Sequence, residues 1–437
     1  MDITIRKLNT VDGVVRLGGK PGALHTALAQ RSKQAGHLVH EELAKGPDLS
    51  IIKFVDAMIQ DAHAVRSSDI HLDPESGGVK IRFRIDGVLQ DIQIIPSAIN
   101  TEVISRIKIL CGLRTDEHQA AQDGRFRLAL EGGVSVDVRV SIVPTYYGEN
   151  AVLRLLSDQA EEFTLESLGF TLENKEKILR AARKPHGMIL ATGPTGSGKT
   201  TTLYTLVKML NTPDVSIITI EDPIEYSISG INQIPVNVRT GLTFANGLRS
   251  MLRQDPNIIM VGEIRDIETA GLAVNTALTG HLVLSTLHTN DAPTTLPRLL
   301  DMKVEPYLIA STVNIAIGQR LVRKICRDCT QEGKLSEAEE KSLSEIMPSE
   351  LLAKHVTFYS GTGCSTCNGT GYFGRAGLHE VLEIDSVIRE AILRKASASE
   401  IRDIAISQGM VPMVVDGFCK AARGITSIEE VLRMRYE

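Results

Sequence analysis

An α/β fold built on a mostly parallel sheet is what this sequence predicts, on three observations. Short apolar segments, Met188 to Thr192, Ser216 to Ile220, Asn257 to Val261 and Leu282 to Thr286, alternate with helix-forming stretches, the pattern of strands covered on both faces. The first segment runs directly into Gly193-Pro194-Thr195-Gly196-Ser197-Gly198-Lys199-Thr200, and a helical stretch follows through Leu210. Strand, glycine turn and helix in that order make a phosphate-binding loop. Finally, Glu221 and Glu263 each follow an apolar segment, so they fall at the strand edge where such sheets bind their ligands.

Length and composition set the frame for the remaining elements. At roughly 150 residues per domain, the 437 residues suggest about three domains. A content of 43% hydrophobic and 23% charged residues is ordinary for a globular chain. No apolar stretch approaches the roughly 20 residues that span a bilayer, and Met1-Asp2-Ile3-Thr4 reads as neither signal peptide nor anchor. A cytoplasmic protein is the expectation, with any membrane contact indirect. The net charge of −5 offers no footprint for gripping nucleic acid along its length, so none is expected as a partner.

In chain order, residues 1–47 are polar and broken by Gly18-Gly19 and Pro21-Gly22, with a helix expected from Ala23 to Lys45. Residues 48–157 read as a smaller α+β domain. Ile51, Ile52, Val55, Met58 and Ile59 give it an amphipathic helix. Val79 to Ile85 alternates apolar and basic residues and turns at Asp86-Gly87 into Val88 to Ile92. A helix from Ile99 to Cys111 separates this pair from a second, Gly124 to Leu130 and Val134 to Val140, joined at Gly132-Gly133. A linker carrying Glu161, Glu162 and Glu166 opens the parallel-sheet domain, 158–320. An insert with four cysteines is expected at 321–376 and short helices at 377–437, where Ser397-x-x-Glu400 and Thr426-x-x-Glu429 read as capping boxes and Gly409 as a helix end.

The phosphate loop names its own chemistry. Backbone N–H groups of Gly193 to Gly198 close around phosphates, Lys199 reaches the terminal ones, and the Thr200 hydroxyl is placed for Mg²⁺, with Thr201 continuing the segment. The ligand is a nucleoside triphosphate. Glu263 ends Ile258-Ile259-Met260-Val261-Gly262, where the usual motif has Asp before Glu, so one carboxylate is missing. Glu221, Asp222 and Glu225 stand at the end of another strand as substitutes. Three jobs await these groups: Mg²⁺ ligation, water activation, and structural hydrogen bonding. Glu263 is assigned to Mg²⁺ and Glu221 to the attacking water, with the swap open. His281 and His288 bracket one strand, roughly 23 Å apart at about 3.3 Å per residue, so only one can meet a given phosphate. His288, at the carboxyl edge, is the candidate contact or relay; His281 is left to packing or hydrogen bonding.

Cys326-x-x-Cys329 and Cys364-x-x-Cys367 supply four thiolates for a closed, structural Zn²⁺ site. The acidic helical stretch Ser336 to His355 fills the gap between the pairs; a redox dithiol is the alternative. Cys111 and Cys419 are read as core, and His71 receives no metal role.

Taken together, the chain resembles the secretion ATPases of type II secretion and type IV pilus assembly from about Ser68 to the C-terminus. The resemblance rests on Ser68-Asp69-Ile70-His71, Arg84 to Leu89, Gln122-Asp123-Gly124-Arg125, the phosphate loop, Glu221-Asp222-Pro223-Ile224-Glu225, Gly262-Glu263-Ile264-Arg265-Asp266, Gly280 to Asn290 and the four cysteines. It implies a RecA-like ATPase domain, binding ATP with Mg²⁺, in a homo-hexamer with nucleotide between subunits. Such rings are implied to sit at the inner membrane, turning a platform protein to extract pilins, and to be recruited by a cytoplasmic adaptor. Arg139 and Arg154 match the family's inter-subunit contacts to the γ-phosphate, a task for which the fixed guanidinium fork is suited. The cysteine pairs resemble assembly rather than retraction ATPases. The short 1–47 region departs from the larger docking domain of such proteins, which leaves the adaptor open. Two other classes share part of this pattern: a DNA-uptake or conjugative-type ring ATPase, for which Arg320 to Lys324 hints at a basic pore loop, and a zinc-bearing module that binds ATP without turnover.

Overall fold

The computed structural model describes residues 35–130, 135–157, 163–345, 347, 352 and 357–434. They fall into two compact units, one of residues 35–157 with 362–374, the other of 163–361 with 375–434. Within the first unit a six-stranded sheet runs in the order β3-β2-β1-β6-β5-β4, with β1 Asp69–Glu75, β2 Gly78–Ile85, β3 Val88–Ile95, β4 Gln122–Ala129, β5 Ser135–Thr145 and β6 Gly148–Ser157. Alternation sorts its two faces. Ile70, Leu72, Ile81, Phe83, Val138 and Leu153 pack against Phe54, Met58, Ile104 and Ile107 of the helices Ile51–Ala64 and Ser97–Cys111. The other face carries a row read straight from the register: Arg84 opposite Asp69, Asp69 opposite Arg154, Arg154 opposite Arg139, Arg139 opposite Arg125.

The second unit holds a seven-stranded sheet, order β15-β12-β7-β11-β10-β8-β9, from β7 Gly187–Thr192, β8 Ile217–Glu221, β9 Asn232–Pro235, β10 Ile258–Val261, β11 Leu282–Leu287, β12 Val313–Ile325 and, last in the chain, β15 Tyr372–Glu383. From β12 to β9 every neighbouring pair is parallel. Both faces are covered, as the uninterrupted apolar segments require. Met188, Leu190, Ile218 and Val283 enter one core, while Ile189, Ala191, Ile217 and Leu284 enter the other.

Several expectations are revised. The helix expected over Ala23 to Lys45 lies partly outside the described residues, and where it is described it runs only His37–Leu43, starting after Gly36 at φ 83°. The Gly132-Gly133 turn, Glu161 and Glu162 also lie outside them. Arg320 to Lys324 is not a loop: it belongs to β12, with Arg323 paired to Glu430 at 2.7 Å, which removes the pore-loop hint. Strands β12 and β15 lie in one sheet and run across residues 320 and 376, so the excursion between them occupies residues 326–371. It contains the ribbon β13 Thr330–Gly333 with β14 Phe358–Gly361, and a helix described over Glu337–Ser344 with a full capping box from Ser336 and Glu339. Helices Ser386–Leu393 and Ala398–Ser407 join the main core through Ile388, Ile392, Ile401 and Ala405. Helices Met413–Ala422 and Ile428–Arg433 pack instead with Leu343 and Phe358. The last helix is capped by Ser427, one residue after Thr426, because the Thr426 hydroxyl donates to the Arg323 carbonyl at 2.7 Å.

Candidate nucleotide site

The loop between β7 and the helix Lys199–Leu210 sits at the carboxyl edge of the parallel sheet, between β11 and β12. Gly193 takes φ 145°, and a Cβ there would stand 2.3 Å from the Gln319 carbonyl, so only glycine fits. Gln319 also ties the loop from the side: its amide donates to the Ser197 carbonyl at 2.8 Å and its Oε1 accepts from the Thr202 hydroxyl at 2.9 Å. Thr192 joins the same edge to β11, donating to the Leu287 and Thr289 carbonyls and accepting from the Thr289 N–H at 3.1 Å.

Lys199 is buried and folds back on the loop, donating to the Gly193 carbonyl at 2.8 Å and that of Pro194 at 2.9 Å. Burial lowers its ammonium to about 8; Glu263 pulls it upward and the nearby Arg320 charge pushes it further down. These bonds to carbonyls are ones a phosphate would replace.

Glu263 follows β10 and is 9% exposed. Its Oε2 lies 2.6 Å from Arg265 Nε and 3.2 Å from His288 Nε2, the second contact requiring the imidazole proton on Nε2. The segment Val261-Gly262 is held in place by Ser285 and Thr286, whose hydroxyls donate 2.7 Å bonds to the Val261 and Gly262 carbonyls. The missing carboxylate has a steric reason: a Cβ at Gly262 would lie 3.3 Å from both Glu221 Cα and the Ile220 carbonyl, tight contacts with backbone that cannot readily yield.

Glu221 is differently placed. It ends β8 inside the protein, 3% exposed, and both oxygens are taken: Oε1 accepts from Thr219 at 2.6 Å and Gln233 at 3.2 Å, Oε2 from the Tyr204 hydroxyl. Burial foremost, with Glu221's charge, raises the Tyr204 phenol, so it remains a donor. Of the three jobs open to this carboxylate, these contacts fill the structural one. His288 is thus brought to Glu263, and Glu221 is held by other partners. At the far end of β11, His281 Nδ1 lies 3.2 Å from the Thr276 carbonyl, a hydrogen-bonding role.

Arg139 and Arg154 face each other across β5 and β6 in the other unit, Arg154 also reaching Asp69 at 3.2 Å. The sulfur atoms of Cys326, Cys329, Cys364 and Cys367 lie within 4.8 Å of one another, with Cys364 and Cys367 at 3.7 Å. A tetrahedron with Zn–S near 2.3 Å has edges of about 3.8 Å, so the donor set fits Zn²⁺. Backbone N–H groups of Cys364 and Gly371 approach the Cys367 sulfur at 3.2 Å, the outer contacts that stabilise a thiolate. Cys111 and Cys419 are half-buried; burial raises the first thiol to about 11 and raises the second too, so both stay protonated.

Gln319, Thr192, Thr289 and Tyr204 were not singled out from sequence. Only Gln319, polar directly after the apolar stretch Ile315 to Gly318, carried a signal that could have drawn notice.

Residues 45–433 match the family described as Type II/IV secretion system protein. The type IV pilus assembly ATPase PilB of Thermus thermophilus is 47% identical over 385 residues, 88% of this chain, and the type II secretion system protein E of Xanthomonas campestris is 47% identical over 386, again 88%. The protein E of Aeromonas hydrophila is 44% identical over 94% of the chain. The chain spans 43% of the length of the Thermus relative, 67% of the Xanthomonas one and 80% of the Aeromonas one. Among solved structures, the pilus retraction motor PilT with bound ADP superposes with a TM-score of 0.59 at 26% identity, covering 87% of this chain and 96% of that one. The Legionella pneumophila ATPase DotB has a TM-score of 0.65 at 23% identity, covering 88% of this chain and 95% of that one, a likeness of fold. The chain belongs to the type II/IV secretion system protein family, the family of the secretion and pilus-assembly ATPases.

Proposed function

We propose that this chain hydrolyses ATP and that hydrolysis drives assembly of a type IV pilus or a type II secretion pseudopilus. The observation that carries the reading is the convergence of Lys199, Glu263 and His288 at the carboxyl edge of the parallel sheet. Residues Gly193 to Gly198 would wrap the phosphates, with Thr201 in the first turn of the helix that follows. Lys199 would release its two carbonyls to take the terminal phosphates. Thr200 and Glu263 would hold Mg²⁺, which supplies charge neutralisation on the phosphates. Glu263 has His288 at hydrogen-bond distance, so this pair is the candidate for handling the attacking water's proton, and Glu221 fixes the strand end from behind. Arg139 and Arg154 would complete the site from a neighbouring subunit of a homo-hexamer; their place in one cross-strand row, with the Arg154 side chain 59% exposed, supports this.

The names of the relatives support action with a pilus-assembly or type II secretion machine, and in this reading the chain works as a ring with an inner-membrane platform protein, recruited through a cytoplasmic adaptor. Among the described residues no helix is long and apolar enough to cross a membrane; a peripheral place on the cytoplasmic side of the inner membrane is part of this proposal. Zinc on the four cysteines would brace the insert, and the cysteine pairs themselves favour assembly over retraction in this reading. A phosphate-release assay tests the reading: Lys199→Ala should abolish turnover, and Glu263→Gln should bind ATP without hydrolysing it. Hydrolysis by Glu263→Gln within about threefold of wild type would refute the siting of the metal and water chemistry.

A further inference from the structure

The phosphate loop explains why Lys199 is a buried cation, and it leaves a second one unexplained. Arg320 stands on β12 two residues beyond Gly318, the partner of Thr192 where β7 enters the loop. It is 8% exposed, no ion pair or hydrogen bond engages its guanidinium among the described residues, and its nitrogens are not among the enclosed unpaired atoms, so the exposure it keeps lies at the charged end. Arginine cannot discharge by losing its proton, so burial without a counter-ion is costly. The cost is increased by its position, since its charge is felt at Lys199. Glu263, the carboxylate felt at the same lysine, is already engaged by Arg265 and His288. Gln319, next to Arg320 in sequence, is bonded into the loop through Ser197 and Thr202, so this part of β12 is anchored at the phosphate site. Two buried cations at the mouth of an anion-binding loop call for an anion that arrives with the ligand.

We propose that Arg320 is a phosphate ligand of the bound nucleotide, supplied by the same chain as Lys199. It rests on the ATP reading above, and it adds a cis cation to the two arginines assigned to the neighbouring subunit. The guanidinium fork suits two oxygens of the terminal phosphates, charge-assisted bonds that compensate its burial only when nucleotide is present.

The test uses the full chain with a non-hydrolysable ATP analogue and Mg²⁺, measuring affinity by calorimetry and melting of the nucleotide-free protein by circular dichroism. Arg320→Gln should weaken analogue binding roughly ten- to a hundredfold, the loss of charge-assisted bonds. Its nucleotide-free melting temperature should stay level, because no bond within the described residues is lost. Arg320→Lys, keeping the charge without the fork, should fall between wild type and Arg320→Gln in affinity. Binding by Arg320→Gln within about twofold of a binding-competent wild type would overturn this assignment and leave the ATP reading standing. A lowered nucleotide-free melting temperature in both variants would mark a structural role and also overturn it. A wild-type chain that fails to bind the analogue would overturn both readings together.

Discussion

Glu221 and Glu263 end neighbouring strands of one sheet, yet removing each carboxylate should have opposite consequences. Glu221→Ala deprives the hydroxyls of Tyr204 and Thr219 of their acceptor in a region where all three residues are at most 3% exposed. A buried donor left unsatisfied costs about 1–3 kcal/mol, so the two together cost roughly 2–6 kcal/mol, before any contribution from Gln233. That is a large part of the 5–15 kcal/mol that typically separates folded from unfolded protein. Glu263→Ala removes the partner of Arg265 and His288, whose side chains are 67% and 44% exposed and remain solvated, so its cost should be about 1 kcal/mol or less. Urea denaturation followed by far-ultraviolet circular dichroism separates the two, since the chain has no tryptophan to report. The midpoint should fall well below wild type for Glu221→Ala and stay near it for Glu263→Ala, while turnover is lost in Glu263→Ala. Equal midpoints for the two variants would refute the division into a buried anchor and a working carboxylate.

Further outcomes follow from the same geometry. The Lys199 ammonium is lowered to about 8 in the free chain, and a phosphate would favour its charged form. ATP affinity should therefore be near full at pH 7 and fall by about tenfold between pH 7 and pH 9; a flat profile measured by calorimetry would contradict the burial of this lysine as the cause. One Zn²⁺ per chain is expected by elemental analysis of protein purified without chelator, and Cys364→Ser should loosen the insert, read as faster proteolysis there, with little change in ATP affinity; absence of zinc would refute the site. A double variant, Arg139→Ala with Arg154→Ala, should bind ATP but hydrolyse it roughly 10³-fold more slowly, and mixing it with Lys199→Ala should restore measurable turnover. If mixed rings form and remain inactive, the arginines do not act in trans.

Short-range rules account for the features that were legible before the fold was known. The phosphate loop is a local object: glycine spacing and flanking strand and helix specify it without knowledge of distant residues, and Gly193 adopts the positive φ that such a loop requires. The parallel sheet was legible because strands buried on both faces are apolar along most of their length, as β7, β8, β10 and β11 are. The cysteine pairs were legible because their spacing matches a metal's donor geometry. Tertiary structure decided what depended on neighbours far along the chain. Thr426 and Ser427 were equally able to cap a helix, and the Arg323 carbonyl on β12 claimed the threonine. Glu221 and Glu263 occupy equivalent positions in sequence, but Tyr204, Thr219 and Gln233 surround only the first. Gln319 and Arg320 lie more than a hundred residues past the loop they serve, and β12 reaches it because parallel strands can become neighbours only through long crossovers. Local spacing thus identified the groups capable of the chemistry, and strand order selected which of them stand within reach of one another.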